Sequence, residues 1–311
     1  MQNFNSIIVD ETDSNIRIDA FLTNILDNYS RTKVQNIIKN KEVFINNVSC
    51  KPSQIIKTDD IITFNLESLR EINIEPENIP LNIIYETAEF AIINKPSGIL
   101  THPTSTHKSG TLVNALLYHF HENLSDLNGK FRSGIIHRLD KNTSGLLIIA
   151  KNNIAHEKLA EMIKNREIEK HYRAIVKGII TEDLIINAPI GRSKTNPTKM
   201  AVVPNGKPSL SEITIIKQFD NATYIDINLK TGRTHQIRVH LSHIGHPVFN
   251  DTLYGFGKQK IKTEEQVLQA YKLKFINPFN NQLINIEIEK DAKIKKVLNY
   301  LETNFEKRKG D

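Results

Sequence analysis

The sequence predicts an α+β protein of two domains. Three observations carry this. Its 311 residues exceed one domain at ~100–200 residues per domain. A polar stretch with two prolines, LESLREINIEPENIP over 66–80, interrupts the patterned sequence. Strand-like segments outnumber helical ones and do not alternate with them regularly, which disfavours a doubly wound parallel sheet.

The elements follow in chain order. Ile16, Ala20, Leu22 and Ile25–Leu26 fall near helical spacing. Ser30 is placed to cap a second helix with Val34, Ile37 and Ile38 as its buried stripe. EVFINN and DDIITFNL read as short strands, completing a compact module. We place this small domain at 14–74, a linker at 75–81 and a large domain at 82–308. The large domain opens with LNIIYETAEFAIINKPSG, read as strand, turn, strand and a Pro/Gly stop, then a short helix over 111–119. GIIH, a polar loop RLDKNTSG and LLIIAK read as strand, loop, strand. Ile154, Ala155, Leu159, Met162 and Ile163 mark an amphipathic helix over 152–167. HYRAIVKG and ATYIDINL are strands, and Gly191 to Leu210 reads as a loop. In HQIRVHLSHIG, Ile237, Leu241 and Ile244 stand at i, i+4, i+7 and predict a helix. Strands at 271–276 and 282–289 and a helix over 291–306 finish the chain.

Composition excludes several classes. One cysteine, Cys50, rules out an intrachain disulfide framework or a cysteine-based zinc ribbon and suits a reducing compartment. The N-terminus lacks a basic region followed by a long apolar run, so a signal peptide is not expected. Apolar runs such as Leu146 to Ala150 fall far short of the ~20 residues of a membrane span. The expectation is a cytoplasmic monomer that does not engage membranes. The net charge of +6 is weak support for a nucleic-acid partner, but its placement is more telling. Residues 28–41 hold Arg31, Lys33, Lys39 and Lys41 and no acid, although residues 1–75 carry more acids than bases. This reads either as a solvated helix face or as a patch aimed at phosphates. A second acid-free stretch carries Arg192, Lys194, Lys199 and Lys207.

The chemistry centres on Gly134 to Lys151, GIIHRLDKNTSGLLIIAK. Two apolar segments flank a loop dense in polar groups, with Asp140 between Arg138 and Lys141, and such loops are where reactive side chains are mounted. This stretch resembles the H-R-L-D-x-x-T-S-G-L signature of RluA/RluD-type pseudouridine synthases, matched by His137, Arg138, Leu139, Asp140, Thr143, Ser144, Gly145 and Leu146. NKPSGILTHP, EKHYRAIVKG with Tyr172, and LKTGRTHQIRVHLSHIGHP with Arg238 are similar to further family motifs, and the resemblance covers nearly all of 80–290. IRIDAFL, YSRTKVQNIIKNKEVFIN and KTDDII resemble an S4 domain, although glycines usual near Lys41 and Asn47 are absent.

The resemblance implies an S4-type RNA-binding domain followed by a catalytic domain on a mixed, mainly antiparallel sheet flanked by helices. It implies isomerisation of uridine to pseudouridine, and large-subunit ribosomal RNA as the substrate and partner. The N1–C1′ bond breaks, the uracil turns, and C5 joins C1′, so no atoms are gained or lost and no cofactor or metal is required. The resemblance gives Asp140 the role of catalytic carboxylate on a flipped-out uridine. Attack at C1′, charge stabilisation and removal of a ribose proton all remain open. It gives Arg238 the task of holding that carboxylate, Tyr172 a stacking face or a base at C5, and Arg138 entry into the RNA. The S4 resemblance favours the RNA-binding reading of Arg31, Lys33, Lys39 and Lys41.

Two alternatives share these features: the same chemistry on transfer RNA, and a non-catalytic S4-type ribosome-assembly factor. His235, His240, His243 and His246 form a cluster in which only Asp251 offers a nearby carboxylate, so a metal site is not expected. Asp140-Lys141 followed by Thr143 is faintly similar to an aspartyl-phosphate loop, but Asn142 and Ser144 break that pattern.

Overall fold

The computed structural model describes residues 4–309 apart from 12, 27–28, 66–73, 105–106, 122, 197, 257–260, 262 and 264. The chain divides into two compact units, Met1–Asn73 and Ile74–Asp311. Much of the linker-like stretch 66–80 thus lies outside the described residues.

In the first unit, β1 (Phe4–Ile8) precedes α1 (Ile18–Ile25) and α2 (Arg31–Lys39), then β2 (Val43–Ile45), β3 (Val48–Ser49) and β4 (Ile61–Asn65). The strands pair antiparallel in the order β1-β4-β2-β3. Phe21 and Leu22 of α1 and Val34, Ile37 and Ile38 of α2 bury against Val43, Ile45, Ile62 and Phe64. The Ser30 hydroxyl accepts the Lys33 N–H at 3.4 Å, the cap expected from sequence. β1 was not foreseen, because it is an edge strand with Ile8 exposed and no continuous apolar face. Where the S4 pattern has glycines, Lys41 (φ 61°), Asn46 (φ 49°) and Asn47 (φ 65°) take left-handed backbone. Asparagine tolerates that conformation, so the β2–β3 turn survives without glycine.

The second unit runs β5 (Ile83–Glu86), β6 (Phe90–Lys95), α3 (Leu112–Phe120), β7 (Ser144–Ala150), α4 (Asn153–Lys164), β8 (Glu169–Lys177), β9 (Leu184–Asn187), β10 (Ile190–Arg192), β11 (Met200–Val202), β12 (Leu210–Phe219), β13 (Ala222–Leu229), α5 (Gln236–His243), β14 (Leu268–Ile276), β15 (Leu283–Glu287) and α6 (Ala292–Lys309). The main sheet has the order β5-β6-β7-β14-β8-β13-β12-β9, with β15 on β14. Only the β7–β14 pairing is parallel among the described strands, giving the mixed, mainly antiparallel sheet that was expected. Alternate residues of β6 and β7 serve two clusters, as the pleat requires. Ala91, Ile93, Leu147 and Ile149 join Leu112 and Leu116 of α3 and Ile237 and Leu241 of α5. Phe90, Ile92, Leu146 and Ile148 join Ala155 and Leu159 of α4.

Two local readings are corrected. GIIH is not a strand: Ile135 makes a single bridge to Ile149, and the segment stays in turns up to the polar loop. Gly191 to Leu210 is not simply a loop, since β10 and β11 pair as a hairpin inside it. Residues 74–81 are fastened to the second unit. Ile74 is in its core, Asn114 Nδ2 donates to the Glu75 carbonyl at 2.9 Å, and the Gly110 N–H donates to the Glu77 carboxylate at 2.9 Å.

Candidate active site

The loop before β7 is shaped by backbone contacts at both ends. Gly145 sits at φ 122°, and a Cβ there would lie 2.0 Å from the Ala270 carbonyl oxygen of β14. Only glycine permits the parallel β7–β14 pairing to begin so close to the loop. Upstream, the 95–101 turn grips successive loop carbonyls. Thr101 Oγ1 donates to Leu139 O at 2.7 Å, Lys95 Nζ to Lys141 O at 3.1 Å, and Ser97 Oγ to Asn142 O at 2.9 Å. Lys293 Nζ from α6 also reaches Asn142 O at 2.8 Å. Lys95 is buried and bonded to Pro96 O and Ile99 O as well. Burial, with the charge of Lys293, pushes its ammonium down to about 7, against a raising effect of Asp140. The NKPSG segment is therefore the cradle of the Asp140 loop.

Asp140 faces a cavity of ≈ 480 Å³ lined also by Arg138, Tyr172 and Arg238. That volume suits a small organic group. Its side chain keeps 19% exposure, and Oδ2 accepts a 2.9 Å hydrogen bond from Arg238 Nη1. Oδ1 has no hydrogen bond among the described residues. Arg238, from α5 and only 7% exposed, uses its other edge on Asp251: Nε to Oδ2 at 2.7 Å and Nη2 to Oδ1 at 2.9 Å. Asp251 is fully buried and also accepts the Leu253 and Tyr254 N–H groups at 2.9 Å each. Burial pushes the Asp251 carboxyl up, but Arg238 and those two amides outweigh it and leave it below its ordinary value. The bidentate pair fixes the guanidinium plane, leaving Nη1 for Asp140. Tyr254 closes the arrangement, with its ring 5.1 Å from the Arg238 guanidinium and its hydroxyl 2.8 Å from His235 Nδ1.

Tyr172 in β8 is buried beside Ala270 and Ile227 in register. Burial and the Asp140 charge push its phenol up, so it stays protonated at neutral pH. Arg138 is exposed at the cavity and, among the described residues, hydrogen-bonds His102 at 3.4 Å. His137 Nε2 accepts the Ile148 N–H at 3.0 Å; burial and the Lys170 charge push it down to about 3, so it is neutral. In the histidine cluster, His240 spends both ring nitrogens on Ser211 Oγ and Ala188 O, and His246 Nδ1 meets Lys177 O.

The first-unit residues separate. Arg31 donates twice to Asp19, at 3.2 and 3.1 Å, and so serves that carboxylate. Lys33 lies 4.3 Å from the Tyr29 ring centroid, while Lys39 and Lys41 are exposed. Sequence reasoning missed Asp251 as the anchor of Arg238, and missed Lys95, Thr101, Tyr254 and Lys293. The one available signal was Asp251 itself, an acid close to the largely apolar HPVF segment, which was weighed only as a metal ligand.

Residues 89–243 match the RNA pseudouridylate synthase family, and residues 16–62 match the S4 domain. An uncharacterized RNA pseudouridine synthase of Aquifex aeolicus is 38% identical, the match spanning 92% of this chain and 94% of that one. The ribosomal large subunit pseudouridine synthase D of Escherichia coli K12 is 35% identical, over 97% and 96% respectively. Among solved structures, human RNA pseudouridylate synthase domain containing 1 superposes with a TM-score of 0.56 at 25% identity, covering 73% of this chain and 96% of that one. Most of the cavity lining, with Asp140, Tyr172 and Arg238, lies inside the matched stretch, the relatives match over more than nine-tenths of both chains, and on these grounds the chain belongs to the RNA pseudouridine synthases, isomerases that act on RNA.

Proposed function

We propose that the chain isomerises specific uridines of large-subunit ribosomal RNA, with Asp140 as the catalytic carboxylate on a uridine flipped into the cavity. The observation that carries this is the half-free Asp140 carboxylate. One oxygen is held by a guanidinium that is itself pinned from behind, and the other is open to a cavity of nucleoside scale. The substrate class rests on near-full-length relatives named for the large ribosomal subunit, together with the S4 domain.

In the reaction the N1–C1′ bond breaks, the detached uracil turns, C5 bonds to C1′, the C5 proton is lost and N1 takes up a proton, so the product keeps the composition of uridine. Asp140 Oδ1 is the group available to meet the sugar. Arg238 prevents that carboxylate from swinging and offsets its charge as water leaves the site. Tyr172 presents a ring on which the everted pyrimidine can stack, recovering part of the few kcal/mol that unstacking costs. A phenol held protonated supports this stacking role over that of a base at C5. Arg138, exposed at the mouth, is placed to fill the space the uridine leaves.

The test is a pseudouridine map of ribosomal and transfer RNA from cells with the gene, without it, and with Asp140→Asn. One or more large-subunit sites should vanish in both altered strains. Sites lost only from transfer RNA would replace the substrate, and sites retained with Asp140→Asn would reject the carboxylate.

A further inference from the structure

Lys170 is not explained by the chemistry above. It lies two residues before Tyr172 in β8, so the pleat turns both to one side, about 7 Å apart along the strand. Both line the Asp140 cavity. Lys170 is 7% exposed, and its ammonium has no hydrogen bond or ion pair among the described residues. Burial alone pushes it down to about 8. Asp140 is the only carboxylate lining the cavity among the described residues, and it is engaged by Arg238. The neighbouring His137 is neutral and offers no counter-charge. A largely desolvated cation at the wall of an open cavity is better balanced by an anionic ligand than by the few waters that can reach it.

We propose that Lys170 is the anion-binding residue of the active-site cavity and takes a phosphodiester oxygen of the flipped nucleotide. This rests on the reading that the cavity receives that nucleotide. RNA supplies one anionic oxygen pair per residue, and the cavity wall near the start of β8 carries further cations, the exposed Lys164 and Arg166. Tyr172 serves the base, and Lys170, one pleat nearer those cations, serves the backbone. The proximity of a phosphate raises the affinity of the amine for its proton, so binding itself secures the charged form.

The probe is a short RNA hairpin spanning a mapped uridine. Conversion of this hairpin by the unaltered chain tests the parent reading by itself. Binding is then measured in the Asp140→Asn background, where the hairpin is not consumed, with and without Lys170→Met and Lys170→Arg. Lys170→Met should weaken binding about tenfold and reduce the slope of log K against log salt by about 0.7. Lys170→Arg should restore most of both. A methylphosphonate at the target nucleotide should weaken the Asp140→Asn protein equally and add nothing to the Lys170→Met loss. Lys170→Met should melt no lower than its parent, because an unpaired buried cation is replaced by an apolar chain of similar length. Hairpin conversion with binding and salt slope indifferent to Lys170 overturns this inference while leaving the parent reading intact. So does a Lys170→Met protein that binds normally but isomerises slowly, which would put the ammonium on the uracil oxygens instead.

Discussion

Both units contain an aspartate held by arginine, and the two are built in opposite ways. In the first, Asp19 is fully buried and both oxygens are saturated. Arg17 donates at 2.9 and 2.9 Å, Arg31 at 3.2 and 3.1 Å, and Gln35 at 2.6 Å. The hydrogen bonds from Arg17 lead those that hold its carboxyl well below the usual range, and the guanidiniums are the exposed partners. In the second, the guanidinium is the buried partner. Arg238 is pinned by Asp251, and Asp140 keeps exposure and an unsatisfied oxygen. A saturated carboxylate ties α1 to α2 and has nothing left to offer a substrate. A carboxylate steadied on one oxygen only can react with the other. The same pair of residue types thus builds a saturated joint in one unit and, in the other, a carboxylate with one oxygen left without a hydrogen bond among the described residues, the feature on which the proposed chemistry rests.

This contrast can be broken most sharply by parallel amide substitutions. Asp140→Asn should lower turnover more than about 1,000-fold with little change in melting temperature. Asp19→Asn should leave turnover on saturating RNA near that of the unaltered chain. Equal losses of turnover would erase the distinction. Next in size is the anchor. Asp251→Ala leaves Arg238 buried with half its counter-charge, which should destabilise the fold by about 3 kcal/mol in denaturant melts and reduce kcat more than KM. Arg238→Lys should keep a charge near Asp140 but lose turnover as well, since an ammonium cannot bridge both carboxylates in a plane.

Smaller effects test the joints. Asp19→Ala should cost about 2 kcal/mol, because Arg17 and Arg31 can return to water while the α1–α2 tie is lost. Last is the pH response of Lys95, read as a slope and not as the loss of one contact. Its folded value, about 7, lies below the ordinary 10.5. Between these the unfolded chain binds more protons, so stability should rise with pH from about 7 to 10. Lys170, pushed down to about 8, adds a rise in the same direction. Lys95→Met should make the slope shallower without abolishing it, as thermal melts across that range would show. An unchanged slope would remove Lys95 from the titration.

Much of this molecule was legible before any fold was known. Ser30 and the Val34–Ile37–Ile38 stripe announced α2, and the all-apolar run from Leu146 announced β7. The edge strands β1 and β9 and the hairpin β10–β11 were not legible, since half-exposed pairing leaves no apolar period to read. β12 has such a period only as far as Ile215, where a bulge shifts its register. The loop 137–146, Tyr172 and Arg238 stood out as motif residues, and His137 to Asp140, Thr143, Tyr172 and Arg238 line one cavity.

The sequence by itself determined the α+β class, the S4 and pseudouridine synthase resemblances, and which polar loop to propose for the chemistry. Local order along the chain carries those, because periodicity and motif spacing are properties of neighbours. Tertiary structure alone decided that Arg238 spans carboxylates 98 and 13 residues away, that Arg31 is committed to Asp19, and that Lys170 stands buried without a counter-ion. Charge pairing and desolvation depend on which distant groups share a space from which water is excluded, and no window of sequence contains that information.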